Sequence, residues 1–201
     1  MTLENYLNKH PKKFLVFDLD MTLVKLAWPS DIRVSSLVYE YFISLDKNLT
    51  AICKRKGYSG FNMMIKKYGS KVKKKIDDIY LFWETKMLKQ AVYNQKLFDF
   101  IRRNKKYHYY IWSNNQKSTV EAILKDNNAL GQFSGHITGT DVAFFKPEPE
   151  GFNKIFPIKN FNREEILMIG DSKNDEESAK NCGIDFFKID QFKKPDKNSF
   201  K

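Results

Sequence analysis

Cysteine is scarce in this chain: two occur among 201 residues, Cys53 and Cys182. They stand far apart and form no C-x-x-C, which excludes a disulfide framework and gives no zinc site, so both are expected to be reduced and structural. No stretch reaches the roughly 18 apolar residues of a membrane span. The opening MTLENYLNKHPKK also lacks the apolar centre of a signal peptide. A cytoplasmic protein without membrane contact is expected. Internal repeats and low-complexity linkers are missing too, which leaves a packed domain rather than a solenoid or a string of modules.

What is present is a core-forming chain, 42% hydrophobic, long enough for one α/β domain with an insertion. Acids are outnumbered, 24 against 35 Lys and Arg, for a formal charge of +11. The excess is concentrated. Residues 24–92 carry 14 Lys and Arg against 6 acids, a net of +8. A basic face there would draw in anionic substrates by focusing the field. A compositional bias towards Lys, Asn, Phe, Ile and Tyr accounts for the same charge. A nucleic-acid partner is a further alternative, but no RNA- or DNA-binding motif is visible among the aromatics.

The order of elements follows from periodicity. Lys13 to Leu19 reads as a short apolar strand. From Asp31 to Val92 the apolar residues Leu37, Tyr41, Ile76, Ile79, Tyr80, Trp83 and Met87 recur at helical spacing, with breaks near Gly57, Gly60 and Gly69-Ser70. A helix over Asn94 to Arg103 follows. Strands are then expected over Tyr107 to Trp112, His136 to Thr138, Ile166 to Ile169 and Asp185 to Ile189. Helices are expected over Gln116 to Lys125, Glu150 to Phe156 and Asp175 to Asn181. Such alternation implies an α/β fold, a parallel sheet with helices on both faces. The division predicted is a core of residues 1–23 and 93–201, interrupted after its first strand by an all-helical insert of residues 24–92. The tail from Gln191 reads as a surface strap or as disordered.

Four polar clusters fall just past predicted strands, where ligands bind open parallel sheets. Phe17-Asp18-Leu19-Asp20-Met21-Thr22 sets two carboxylates two residues apart after a buried strand. Burying a carboxylate costs several kcal/mol unless it is paired or binds a cation, and a strand end combines a fixed backbone with access to a ligand. Ser113-Asn114-Asn115 offers a hydroxyl and amides before a helix, as an anion site or simply as a helix cap. Lys146 stands between an apolar pair and two prolines, Pro147 and Pro149, which fix the turn that carries it. A fixed ammonium suits a phosphate, although one surface lysine beside a helix start is commonplace. Gly170-Asp171-Ser172-Lys173-Asn174-Asp175 ends a strand in Gly and two acids four apart. Asp171 is placed to bind a hard cation, and Asp175 to order a water or a neighbouring lysine.

In this order the segments resemble the four motifs of the haloacid dehalogenase superfamily: D-x-D-x-[TV], a strand-end Ser or Thr, a Lys, and G-D-x-x-x-D. The match runs from Phe14 to about Ile189, and the insert resembles the helical cap of the phosphoglycolate-phosphatase-like branch. The resemblance implies a Rossmann-like core and Mg2+-dependent phosphoryl transfer through an aspartyl-phosphate, with a small phosphorylated metabolite as substrate. Asp18 would be the nucleophile and a metal ligand. Asp20 would protonate the leaving oxygen and then activate water, its backbone carbonyl ligating the metal. Ser113, Asn114 and Lys146 would hold the phosphoryl group, Asp171 would ligate the metal, and Asp175 would support the metal site or Lys146. Dehalogenases of the superfamily typically lack a carboxylate at the place of Asp20, so phosphate hydrolysis is favoured. A sugar-phosphate mutase of the same fold and a basic nucleic-acid-binding protein with a vestigial core are the alternatives. Met21 departs from the Gly of many relatives, and altered access with intact chemistry is expected. Lys25, Trp28, Arg33 and the run Lys54-Arg55-Lys56 are candidate specificity residues, with Trp28 and Trp83 expected to serve mainly in packing. A monomer or dimer is expected.

Overall fold

The computed structural model describes residues 1–31, 33–157, 161–190 and 192. The chain opens with helix α1 (Leu3–Lys9), which the sequence reading leaves out. Thr2 caps it by accepting from the Asn5 N–H, and Leu3 and Leu7 bury its inner face. Strand β1 (Phe14–Phe17) follows, shorter than the expected Lys13 to Leu19. It stops there because the next turn closes on itself: the Leu19 carbonyl accepts from the N–H groups of Thr22, Leu23 and Val24.

The helical region resolves into α2 (Val34–Leu45), α3 (Lys47–Cys53), α4 (Tyr58–Tyr68) and α5 (Ser70–Met87). Gly57 and Gly69 mark two of its breaks, at φ of 53° and 80°, where a left-handed backbone favours glycine. The two connections to the rest of the chain pair with each other. Strand β2 (Val24–Lys25) runs antiparallel to β3 (Val92–Tyr93), and Asn94 fastens the junction by donating from its N–H to Leu23 and from its side chain to Thr22. This two-stranded clasp was not anticipated, because two-residue strands leave no periodic signal.

After it come α6 (Gln95–Arg103), β4 (His108–Trp112), α7 (Lys117–Asp126), β5 (Phe133–Ile137), α8 (Glu150–Ile155), β6 (Ile166–Gly170), α9 (Lys173–Cys182) and β7 (Asp185–Lys188). Two of these elements start more than one residue from expectation. β5 begins three residues before His136, and α9 begins before Asp175 because Ser172 is its cap. The predicted tail lies outside the described residues, Phe192 apart.

The main sheet is parallel throughout, in the order β5-β4-β1-β6-β7. Its strands are apolar because helices cover both faces: Leu15, Val16 and Phe17 of β1 and Ile166 to Ile169 of β6 are fully buried. Each such side chain contributes on the order of 1.5–3 kcal/mol of burial free energy. The chain runs outward on one side of β1 and then on the other, so a crevice opens at the carboxyl ends of β1, β4 and β6. The helical insert has its own core, built from Val38, Phe42, Phe61, Met64 and Ile76 among others. Phe145, from the loop before α8, is buried within it.

Candidate active site

The register brings the sequence motifs together. Phe17 pairs with Ile111 of β4 and Ile169 of β6, so one step further Asp18 lies between the ends of both strands. Ser113 follows β4, and Asp171 follows β6. Asp18 is held by its N–H donating to the Ile169 carbonyl at 2.9 Å.

Lys146 enters from the loop before α8 and is 2% exposed. Its Nζ donates to Asp18 Oδ1 at 2.6 Å and to Asp175 Oδ1 at 2.5 Å. Asp175 is the third residue of α9 and completes a capping box with Ser172, its Oδ2 accepting from the Ser172 hydroxyl at 2.6 Å and the Ser172 N–H at 3.2 Å. The approach of α9 to β6 requires Gly170. A Cβ there would lie 2.6 Å from the Asp175 side chain. One oxygen from each of Asp18, Asp171 and Asp175 lies within 4.8 Å of the others. Oxygen donors so grouped fit a hard divalent cation such as Mg2+. The electrostatics agree: burial, with Asp175 adding to it, pushes the Asp18 carboxyl up despite Lys146. Burial pulls the Lys146 ammonium down, but Asp175 and Asp18 outweigh it and hold the ammonium above its ordinary value. Among the described residues the Lys146 ammonium alone stands against the two carboxylates of Asp18 and Asp175, a deficit of positive charge.

Asp20 faces the turn at the start of the insert. Its Oδ1 accepts from the N–H groups of Met21 (3.1 Å) and Leu26 (3.0 Å), and its Oδ2 from Trp28 Nε1 at 2.5 Å. Burial raises its pKa against these three donors, and an acid so raised is better suited to proton delivery. Trp28 therefore does more than pack: its indole touches Asp20, although its ring also meets Tyr80 edge to face. Met21 has φ of 62°, which explains why glycine suits this place.

Asn114 and Asn115 are both engaged. The Asn114 side chain clamps the Lys146 backbone, accepting from its N–H at 2.8 Å and donating to its carbonyl at 3.5 Å. The side chain thus holds the backbone of the loop that carries Lys146. Asn115, read in the sequence only as part of the Ser113-Asn114-Asn115 cluster, accepts from Ser113 Oγ at 2.8 Å and donates from Nδ2 to Glu84 at 3.0 Å.

Glu84 and Asn62 were also missed. Asn62 of α4 donates to the Phe145 carbonyl at 2.8 Å and accepts from the Phe145 N–H at 2.9 Å, gripping the residue before Lys146. Glu84 of α5 is wholly buried and accepts from Asn115 and from the Gln116 N–H. A signal existed for it. Glu84 lies four residues after Tyr80 on the apolar stripe of α5, where a charge calls for a partner.

The specificity candidates scatter. Lys25 and Arg33 are exposed, and Lys54 lies over the Tyr39 ring at 5.9 Å. Arg55 and Lys56 line a cavity of about 430 Å³ together with Tyr58, Lys173 and Asn174. It lies where the turn between α3 and α4 faces the start of α9, two residues beyond Asp171.

A parallel α/β sheet with a lysine bridging the strand-end Asp18 and the first-turn Asp175 of α9, beside a helical insert, defines a Rossmann-like α/β protein with a buried charged cluster. The profile of the family described as haloacid dehalogenase-like hydrolase matches residues 15–189, and the chain belongs to that family. A phosphoglycolate phosphatase of Vibrio cholerae is 34% identical over 71 residues, which span 35% of this chain and 31% of that protein. The match thus covers about a third of the curated relative. Among solved structures, YfnB of Bacillus subtilis, named as a HAD-hydrolase and bound to magnesium, superposes with a TM-score of 0.55 at 21% identity, covering 91% of each chain. The L-2-haloacid dehalogenase of Xanthobacter autotrophicus gives a TM-score of 0.60 at 15% identity, covering 89% of this chain and 77% of that one. At these identities the likeness is one of fold. Among the described residues no helix is long and apolar enough to cross a membrane.

Proposed function

We propose that the chain is a Mg2+-dependent phosphatase that hydrolyses a small phosphomonoester through an aspartyl-phosphate on Asp18. The observation that carries this reading is Lys146, buried and bridging Asp18 and Asp175 within a group of three carboxylates. Asp18 attacks phosphorus, the bond to the leaving oxygen breaks, and Asp20 gives that oxygen its proton. Asp20 then takes a proton from water, which attacks the phosphoryl group, freeing Asp18 and inorganic phosphate. Lys146 and Ser113 hold the transferring group, and Asn114 positions Lys146. Asp18 and Asp171 with the Asp20 carbonyl would hold Mg2+, supported by Asp175; when bound, the ion neutralises charge between an anionic nucleophile and an anionic substrate. A carboxylate and a phosphate otherwise repel, which is why the deficit of positive charge around Asp18 matters.

Residues 24–92 serve as the cap in this reading, excluding water and selecting the leaving group. The clasp of β2 and β3 supports that division. Arg55 and Lys56 in the lining of the cavity suit a leaving group that is itself anionic. The test is hydrolysis of p-nitrophenyl phosphate with and without Mg2+. Wild type is expected to turn over only with the metal and Asp18→Asn not at all. Lys173→Ala, whose side chain is 85% exposed, is expected to keep nearly full activity. Equal losses in both variants would overturn the assignment.

A further inference from the structure

Glu84 is a wholly buried acid that the proposed reaction leaves unused. Both of its oxygens are taken by the loop after β4: Oε1 accepts from Asn115 Nδ2 at 3.0 Å, and Oε2 from the Gln116 N–H at 2.9 Å. An ionised carboxylate can only accept, so Asn115 must turn its NH2 towards Glu84 and its carbonyl oxygen the other way. On that other side Ser113 Oγ donates to Asn115 Oδ1 at 2.8 Å, and the Asn115 N–H donates back to Oγ at 3.2 Å. A hydroxyl carries one proton. While that proton is on Asn115, Ser113 presents lone pairs, the wrong polarity for an anion.

We infer that Glu84 is a positioning residue which, through Asn115, sets the polarity of the Ser113 hydroxyl, so that the docked insert withholds the Ser113 proton until a phosphoryl group competes for it. The inference rests on the phosphoryl-binding role proposed for Ser113. Its consequence is weaker binding of the product phosphate, because binding must first break the Ser113 to Asn115 bond. Docking itself does not depend on Glu84 alone. Two and three turns earlier on α5, Asp77 accepts from Gln116 Nε2 at 3.1 Å and Lys73 donates to the Gly139 carbonyl at 2.7 Å.

Glu84→Gln keeps the volume and reverses the polarity. The new carbonyl can still accept from the Gln116 N–H, while the new NH2 donates to Asn115, which flips and donates in turn to Ser113 Oγ. The Ser113 proton is then free for the ligand. Binding of inorganic phosphate is measured by calorimetry in the presence of Mg2+, above the value of about 7 to which burial pushes the Glu84 carboxyl. Glu84→Gln is expected to tighten phosphate by about twofold to tenfold, the worth of one ordinary hydrogen bond. In a Ser113→Ala background the same substitution is expected to change nothing. The side-chain NH2 resonances of Asn115, followed by 15N NMR, are expected to move in Glu84→Gln and in Ser113→Ala. Phosphate affinity unchanged or weakened by Glu84→Gln, an equal gain in the Ser113→Ala background, or Asn115 resonances indifferent to both variants would each overturn the inference. Hydrolysis by wild type and its loss in Asp18→Asn report separately on the phosphatase reading, and the Asn115 resonances decide the inference even where hydrolysis is absent.

Discussion

The two sides of the crevice are built on different principles. On the β1 and β6 side, Asp18, Lys146 and Asp175 form a charged cluster anchored in the core. On the β4 side, Ser113, Asn115 and Glu84 form a chain of single hydrogen bonds that ends in the helical insert. The first side depends on charge balance within one packed unit. The second depends on where the insert sits. Under the proposed function, this difference would leave the chemistry to the core and its control to the contact between insert and core.

Asp18→Asn should break the charged side most severely. It removes the proposed nucleophile while keeping the shape, and a loss of turnover of at least about a thousandfold is expected in steady-state assays with the fold intact by circular dichroism. Asn62→Ala probes the contact between insert and core, here the grip of the insert on the loop that carries Lys146. It strands the buried N–H and carbonyl of Phe145, so a loss of about 1–3 kcal/mol is expected in urea denaturation. An unchanged midpoint would show that the insert does not hold this loop.

Trp28→Phe tests the link between the linker and the acid. The indole N–H lowers the Asp20 pKa against burial. Removing it should raise that pKa, so the protonated acid persists to higher pH and the alkaline limb of the pH–kcat profile moves upward. A limb that stays put or moves down would place Asp20 outside the titration that limits the rate. Met21→Gly is the smallest effect. Relief of the positive φ should stabilise the fold by about 0.5–1 kcal/mol, less what the Met side chain contributes by packing.

The legibility of the sequence divides along the same line. Asp18, Asp171 and Ser113 were readable because each ends an apolar strand, and strand ends in a parallel sheet converge in space. The pairing of Lys146 with Asp18 was not readable. The two are 128 positions apart, and only the sheet order brings them together. Asn114 and Asn115 were seen as amide donors, but which neighbour each would meet depends on the loop before α8 and on α5. Glu84 and Asn62 were missed for a physical reason. Helical periodicity identifies the buried face, whereas the partner of a lone polar residue on that face belongs to another part of the chain. Trp28 was read as packing because an indole is mostly apolar surface, and its one N–H found a carboxylate eight residues away. The tight turn after β1 gave no propensity signal at all, since Met21 occupies a backbone region that methionine rarely adopts.

The most direct test of the central claim is to trap the phosphoenzyme. With p-nitrophenyl phosphate the leaving group departs without needing a proton, so Asp20→Asn should form the aspartyl-phosphate and fail to hydrolyse it. Rapid acid quench and peptide mass spectrometry should then find one phosphoryl group on Asp18 in Asp20→Asn, and none in the Asp18→Asn, Asp20→Asn double variant. Phosphorylation at another residue, or full turnover by Asp18→Asn, would contradict the account.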